Sequence, residues 1–97
     1  MAEIRWAQEA VIWLEDIYKY IAEDNADAAN RVVEGIYNKV QFLAEFPEIG
    51  YHYRTEPEGH IRVLLYGHYR IAYLFRHPDT VEILGIFHGA LDIKRYL

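Results

Sequence analysis

Residues 59–88 contain three consecutive stretches that are typical of β-strands and that are apolar on both faces. In an antiparallel sheet with one face in water, apolar and polar side chains alternate with a period of two residues. The second strand instead carries apolar or aromatic side chains on both sides, namely Tyr69, Ile71, Tyr73 and Phe75 on one side and Ala72 and Leu74 on the other. A chain of 97 residues has little material left to cover both faces of such a sheet, so we expect a partner to cover the second face.

The composition limits the class of protein. With 53% hydrophobic and 26% charged residues, the chain is typical of one globular domain spanning residues 1–97, which excludes disordered and fibrous classes. Cysteine is absent, which excludes disulfides and thiolate metal sites and favours the cytoplasm. No stretch approaches about 18 apolar residues, so we expect no membrane insertion. The formal net charge of -5 argues against direct, non-specific binding to long nucleic acids.

Two amphipathic helices are predicted in the first half of the chain, at about residues 8–23 and 26–45. Asn25 is a suitable N-cap for the second helix, because its side chain can accept hydrogen bonds from free backbone amides. Pro47 should end that helix, since a residue that precedes proline is disfavoured in helical geometry. Trp13 lies beside the apolar stripe of the first helix, and we expect it to pack against the core.

The remaining segments predict a small sheet. Residues 3–6 form a short strand that can add an edge, whereas residues 50–60, with two glycines and a proline, are typical of an irregular surface loop. Gly67 and His68 suit a two-residue hairpin turn. The final segment, residues 90–97, is compatible with a helical turn or an extended tail. A helix hairpin followed by a three-strand meander predicts an α+β fold, with the helix hairpin packed on a small antiparallel sheet.

The sequence resembles the RelE/ParE superfamily of type II toxins over nearly its whole length. The resemblance rests on the helical segment Ala10–Ile36, the turn Phe46–Gly50, the two strands in His60–Phe75 and the closing strand Val81–Gly89. Each segment is a degenerate hydrophobic pattern, but their order, their spacing and the total length make the match specific.

This resemblance implies a small toxin that is expressed with a cognate antitoxin, whose carboxy-terminal segment wraps the toxin and covers its sheet. Antitoxins of this superfamily commonly carry a dimeric DNA-binding domain, so contact with nucleic acid is expected only through the antitoxin. Combined with the apolar strands, the resemblance predicts an antitoxin-binding face on the two strands within residues 60–75. Its residues are Arg62, Leu64, Tyr66, Arg70, Ala72 and Leu74.

The superfamily divides into mRNA endonucleases that resemble RelE and poisons of DNA gyrase that resemble ParE. RNA cleavage by a 2′-hydroxyl requires activation of that hydroxyl, stabilisation of charge at the phosphate and protonation of the leaving oxygen. In alignment with RelE-like enzymes, Arg70 and Tyr96 match an arginine and the terminal tyrosine. Ala90 replaces a second arginine, and Ile61 and Val63 replace two lysines. The resemblance is therefore closer to the ParE branch, which implies inhibition of DNA gyrase by protein contact.

Two other functions stay open at this stage. The first is an mRNA endonuclease that uses Arg70, His88 and Tyr96, with His88 near Asp92 for acid/base chemistry. The second is a regulatory member that only adjusts the DNA binding of its antitoxin. A structural role is favoured over catalysis for each of these residues: Arg70 can pair with an acid or the antitoxin, His88 can cap its strand or pair with Asp92, and Tyr96 can pack the tail onto the sheet.

No metal or cofactor site is predicted. The remaining histidines show no ligand spacing within a single helix or strand, and they are His52, His60, His68 and His77. The sequence also contains no glycine-rich phosphate loop, nucleophile elbow or zinc motif.

Overall fold

The computed structural model describes residues 1–97 as two α-helices and five β-strands in one mixed sheet. The α+β fold predicted from the sequence is confirmed. In chain order the elements are β1 Glu3–Trp6, α1 Gln8–Ala22, α2 Ala26–Gln41, β2 Tyr51–Glu56, β3 Gly59–Tyr66, β4 Tyr69–Arg76 and β5 Thr80–His88, with short 3₁₀-helices at Phe42–Ala44 and Ile93–Arg95.

The strands follow the order β1-β5-β4-β3-β2 across the sheet. Strands β2 to β5 form an antiparallel meander, as the hairpin signals predict for its last three members. Strand β1 forms an edge, as expected, but it pairs with β5 in the parallel sense, from Glu3 opposite Thr80 to Trp6 opposite Ile83. The sheet is therefore mixed. Parallel neighbours require a long connection between them, and nearly the whole chain lies between these two strands.

The prediction of an irregular loop at residues 50–60 is wrong, because this segment forms β2 and the start of β3. Glycine, proline and mixed charge suggested a loop, but an edge strand tolerates polar residues because one of its sides faces water. The pairing shifts by one residue between His52 and Arg54, which marks a β-bulge. Gly59 has φ +156°, and a Cβ there would lie 2.2 Å from the carbonyl oxygen of Phe75, so glycine is required.

The two helices begin close to the predicted positions. Asn25 caps α2 by accepting a hydrogen bond from the amide of Ala28 at 3.0 Å, as predicted. Helix α2 ends at Gln41, and the chain tightens into the 3₁₀-helix that ends at Ala44, so the α-helical part is four residues shorter than the predicted end at residue 45. The turn that follows contains Pro47 and leads into β2.

The hydroxyl of Tyr73 fastens this turn to the sheet. It donates a hydrogen bond to the carbonyl oxygen of Pro47 at 2.8 Å and accepts one from the amide of Gly50 at 3.0 Å. The Tyr73 side chain is fully buried, and this burial raises the pKa of its hydroxyl. The neutral hydroxyl is therefore the form that the folded protein favours.

Both helices pack on one face of the sheet, which we call the helix face. Its core is one cluster of eleven buried residues, formed by Ala10, Ile36, Val40, Leu43, Leu64, Ile71, Tyr73, Phe75, Val81, Ile83 and Ile86. Gly35 allows a close approach here, since a Cβ at that position would lie 1.8 Å from the hydroxyl of Tyr66 on β3.

The opposite face, which we call the tail face, is covered by the protein's own C-terminal tail, residues 89–97. Ile93 of the tail forms a second buried cluster with Val63, Ala72 and Phe87, and the partly buried residues packed against it are Trp13, Tyr53, Leu91 and Leu97. The C-terminal tail thus supplies cover that was expected from a partner. The nine residues of the tail cross the central strands and bury Val63, Ala72 and Phe87 there.

None of the helices combines the length and the apolar character that a membrane-spanning segment needs.

Candidate functional site

Three of the six residues predicted to bind an antitoxin lie on the helix face. Leu64 is only 6% exposed and belongs to the helix-side core. Tyr66 packs against the same core beside α2. Arg62 lies opposite Tyr73 in the register of β3 and β4, and therefore on that face too. These side chains contact the protein's own helices and the turn before β2.

The other three lie on the tail face. Ala72 is fully buried and Leu74 is 5% exposed, while Arg70 is half-buried beside the tail. The six residues therefore do not form one continuous surface. A two-residue turn pairs Tyr66 with Tyr69, so even-numbered residues of β3 share a face with odd-numbered residues of β4. The sequence-based selection of even-numbered residues from both strands mixed the two faces.

Both arginines in this set hold backbone carbonyl groups. The Nη1 atom of Arg62 donates to the carbonyl oxygens of Glu48 at 3.0 Å and Gly50 at 2.7 Å, and its Nη2 atom lies 3.8 Å from the Glu48 carboxylate. The Nη2 atom of Arg70 donates to the carbonyl oxygen of Leu91 in the tail. Arg62 thus holds the turn before β2, and Arg70 holds the C-terminal tail.

Two of the three residues of the endonuclease hypothesis line one depression. Arg70 and His88 line it at the end of β4 and β5, together with His68. Tyr96 does not line this depression. Its ring packs 5.3 Å from the ring of Phe87, which lies opposite Arg70 in the register of β4 and β5, and 5.1 Å from the ring of Trp13.

The predicted structural roles in this region fit the contacts in part. The Nδ1 atom of His88 accepts a hydrogen bond from the amide of Ala90 at 3.2 Å, so His88 does cap the end of β5. Asp92 caps the tail's 3₁₀-helix by accepting from the amide of Lys94 at 3.2 Å. Trp13 and Tyr96 pack in the tail-face cluster, which agrees with the packing role expected for both.

The positions at which RelE-like enzymes carry lysines are apolar and buried. Ile61 and Val63 lie on the tail face of β3 under the C-terminal tail, at 5% and 1% exposure. A buried lysine there would be an unpaired charge, which is costly. Ala90 is exposed but carries no charge. Arg70 lines the same depression as His88, without the lysine pair.

An exposed apolar surface follows helix α1, and sequence analysis did not identify it. Val11, Ile12 and Tyr20 are all exposed on this helix. A depression lies on each side of α1, and together with the exposed residues these define what we call the α1 surface. One depression is lined by Val11, Leu14, Glu15, Tyr18, Lys19 and Val33, and the other by residues of α1, the sheet and the tail that include Trp13, Ile17, Tyr20, Tyr69, Ile86 and Leu91.

The apolar stripe of α1 is wider than the part of the helix that packs on the core. The helical pattern alone therefore did not show that some of its apolar residues are exposed. Only Ala10 of α1 is fully buried, whereas Val11 is exposed and Tyr18 is partly buried. The signal that could have revealed it is the apolar pair Val11 and Ile12, since adjacent helical residues point in different directions. Clustered exposed apolar side chains commonly mark interaction sites.

Comparisons with known proteins agree with the sequence resemblance. A sequence profile described as the ParE toxin of the type II toxin-antitoxin system parDE matches residues 4–93. The curated protein "Putative toxin Y4kP" of Sinorhizobium fredii (strain NBRC 101917 / NGR234) is 40% identical over 86 residues, which cover 89% of this chain and 86% of that protein. A solved structure described as "Chromosomal ParDE TA system from P. aeruginosa" has a similar fold, with a TM-score of 0.72 and 22% identity, covering 91% of this chain and 96% of that chain.

Proposed function

Because this chain belongs to the ParE family of toxins of type II toxin-antitoxin systems, we propose that it inhibits DNA gyrase by protein contact and that a cognate antitoxin neutralises it. Free toxin would then arrest growth, and no bond would be cleaved by the toxin itself. The proposed site of action is the cytoplasm, where gyrase and its DNA are found.

The engagement of Tyr96 and Arg70 in holding the tail is the observation that carries the proposal against nuclease chemistry. A ribonuclease needs its acid, its base and its phosphate-binding cation around one phosphate. Here the Tyr96 ring lies between Trp13 and Phe87, while Arg70 holds a backbone carbonyl group of the tail. Contact with a protein target requires no such assembly.

One observation keeps an endonuclease as the second candidate. Arg70, His88 and His68 line the same depression, so a cation and two imidazoles are available near one another. Imidazole can exchange protons near neutral pH, and an arginine can bind a phosphate. Tyr96 does not line this depression.

The α1 surface offers an antitoxin an accessible apolar contact. The similar fold of the solved structure described as a ParDE TA system supports an antitoxin partner for the present chain. Of the residues first predicted, Arg70 lies at the rim of this region, beside the tail residue Leu91. Leu64, Ala72 and Leu74 are buried within the toxin, so we propose α1 as the principal contact instead.

The function is tested with purified, antitoxin-free protein in two parallel assays. One measures supercoiling of plasmid DNA by gyrase, and the other follows mRNA integrity in a translation extract. We expect loss of supercoiling or trapped cleaved DNA, with intact mRNA. Cut mRNA with normal supercoiling, abolished in His88→Ala but retained in His77→Ala, would instead establish the endonuclease.

The antitoxin site is tested with a charged substitution at the α1 surface. Val11 is 42% exposed and Ile49, in the turn before β2, is 52% exposed, so each can accept aspartate without burying a charge in the core. With the antitoxin encoded beside the toxin gene, Val11→Asp should weaken binding at least about 10-fold, because the interface would bury the carboxylate. Ile49→Asp is the matched control and should bind as the wild type does. Equal affinities for both variants would exclude α1.

A further inference from the structure

Three polar side-chain atoms converge on the outer strands of the sheet, far from the α1 surface. The Nε2 atom of His52 lies 3.0 Å from the Oγ1 atom of Thr55 and 3.3 Å from the Nδ1 atom of His60, and the Thr55 oxygen lies 3.2 Å from that Nδ1 atom. The three atoms form a nearly equilateral triangle. All three residues are exposed to solvent, so an ion can reach them.

The β-bulge in β2 creates this cluster. Thr55 lies directly opposite His60, and in a regular strand His52, three residues before Thr55, would point to the opposite face. The one-residue shift between His52 and Arg54 places His52 opposite Arg62 instead. Arg62 and His60 share a face of β3, so His52 joins Thr55 and His60 on that face.

The distance between the two imidazole nitrogens matches one edge of a tetrahedral metal site, and the Thr55 oxygen lies within hydrogen-bond distance of both nitrogens. Two imidazole nitrogens that each lie about 2.0–2.1 Å from a tetrahedral zinc ion are about 3.3–3.4 Å apart. The two nitrogens here are 3.3 Å apart, which is longer than the roughly 2.7–3.2 Å that is typical of a hydrogen bond from nitrogen. The distance between the two nitrogens therefore suits joint coordination of one ion better than a direct hydrogen bond between the rings.

We propose that His52 Nε2 and His60 Nδ1, with Thr55 Oγ1 as the third donor, bind one divalent transition-metal ion of the zinc class. Imidazole nitrogens favour such ions over calcium or magnesium, which prefer oxygen ligands. Water completes the coordination. The ion connects the edge strand β2 to β3, and this inference does not depend on the gyrase target.

The surroundings allow a cation at this place. Arg62 lies opposite His52, but its guanidinium points to the carbonyl oxygens of Glu48 and Gly50 and lies near the Glu48 carboxylate. Arg54 on the same strand pairs with Glu56 at 2.6 Å. Both positive charges thus have a negative neighbour. No group of three or more histidine, cysteine, aspartate or glutamate side chains in this protein could hold a metal ion. The proposed site differs from such a group because its third donor is a hydroxyl.

The test is a zinc titration of tag-free protein in competition with a chromophoric indicator, combined with nitrogen-detected NMR of the histidine rings. We expect one ion per chain, and zinc-dependent shifts at His52 Nε2 and His60 Nδ1. His52→Ala and His60→Ala should each weaken binding at least about 10-fold, as removal of a ligand should cost no less than removal of a supporting group. Thr55→Val should have a smaller effect in the same direction.

His77→Ala is the matched control, because His77 is equally solvent-exposed but lies in the turn between β4 and β5. It should bind zinc as the wild type does, and zinc should raise the Tm of this variant and of the wild type but not of His52→Ala. Equal affinities for His52→Ala and the wild type would overturn the proposal. If a histidine variant does not fold, the wild-type NMR experiment decides alone: shifts confined to His68 and His88, or no shifts, would also overturn it.

Discussion

The two faces of the sheet are both covered, but by different kinds of structure. The helix face is packed by α1 and α2, whose backbone hydrogen bonds lie within the helices, and it contains a continuous cluster of eleven buried residues. The tail face is covered by residues 89–97 and contains a cluster of four. The same sheet therefore combines a face with a deep core and a face with a thin cover.

The cover of the tail face depends on a few side chains. Arg54 Nη2 donates to the carbonyl oxygen of Leu97 at 2.5 Å, and Arg70 donates to that of Leu91. Ile93 and the rings of Tyr96 and Trp13 supply the apolar contacts. Since few contacts hold the tail, we expect it to open locally at a lower free energy than the helix face.

The largest expected difference comes from the same substitution on each face. Ile36→Ala removes a fully buried side chain from the helix-face core and should lower the free energy of unfolding by about 2–5 kcal/mol. Ile93→Ala in the tail should cost about 1–2 kcal/mol, because a mobile tail can close over the space that the side chain leaves. Urea denaturation of both variants measures the difference. Equal losses would show that the two covers contribute alike.

A second difference concerns how the turn before β2 is held on the helix face. Tyr73→Phe leaves the amide of Gly50 and the carbonyl oxygen of Pro47 without their hydroxyl partner, so the free energy of unfolding should fall by about 1–3 kcal/mol. Tyr96→Phe on the tail face is the control, because the Tyr96 ring packs without a hydrogen bond from its hydroxyl, and it should be nearly neutral. A neutral Tyr73→Phe would mean that water replaces the hydroxyl.

The elements that could be predicted from the sequence are those with strong local signals. Asn25 marked the start of α2, and Gly67, with φ +55°, marked the hairpin, whereas α2 ends four residues before the end predicted from Pro47. The β2 strand was missed because the glycines, the proline and the mixed charge of residues 50–60 are also typical of a loop. The grouping of Leu64 with Ala72 was wrong because it did not apply the register that a two-residue turn at Gly67 and His68 imposes.

The candidate sites were harder to predict because they depend on residues that are distant in sequence. Arg70 and His88 were placed near each other through the resemblance, and they do line one depression. His52 and His60 meet across two strands only because of a bulge that no residue pattern announced. The α1 surface was not predicted, because a hydrophobic stripe on a helix does not show which of its residues the sheet covers.

A smaller difference between the faces is expected when one hydrogen bond to the tail is removed. Arg70→Gln removes the hydrogen bond to the Leu91 carbonyl oxygen and should cost about 1 kcal/mol of global stability. Hydrogen exchange should accelerate at the amides of Tyr96 and Leu97, which bond within the tail, and not in α2. Arg76→Gln is the control, because Arg76 pairs with Glu82 away from the tail. Equal acceleration in both variants would contradict a role of Arg70 in holding the tail.

The smallest expected effect is a dependence of stability on alkaline pH that arises on the helix face. Burial raises the pKa of Tyr73 in the folded protein, whereas an unfolded tyrosine ionises near pH 10. The stabilisation from this neutral hydroxyl is therefore complete below about pH 10 and is lost as the pH rises through the higher folded value, because the unfolded chain releases the proton first. Tyr73→Phe lacks the ionisable hydroxyl. The unfolding free energy of this variant should therefore decrease less between about pH 9 and 11 than that of the wild type. Burial raises the pKa of Tyr69 as well, so a residual decrease should persist in Tyr73→Phe and diminish further when Tyr69→Phe is added. Identical pH profiles for all three proteins would show that the core around Tyr73 opens to water before the hydroxyl ionises, and the helix face would then be no more closed than the tail face.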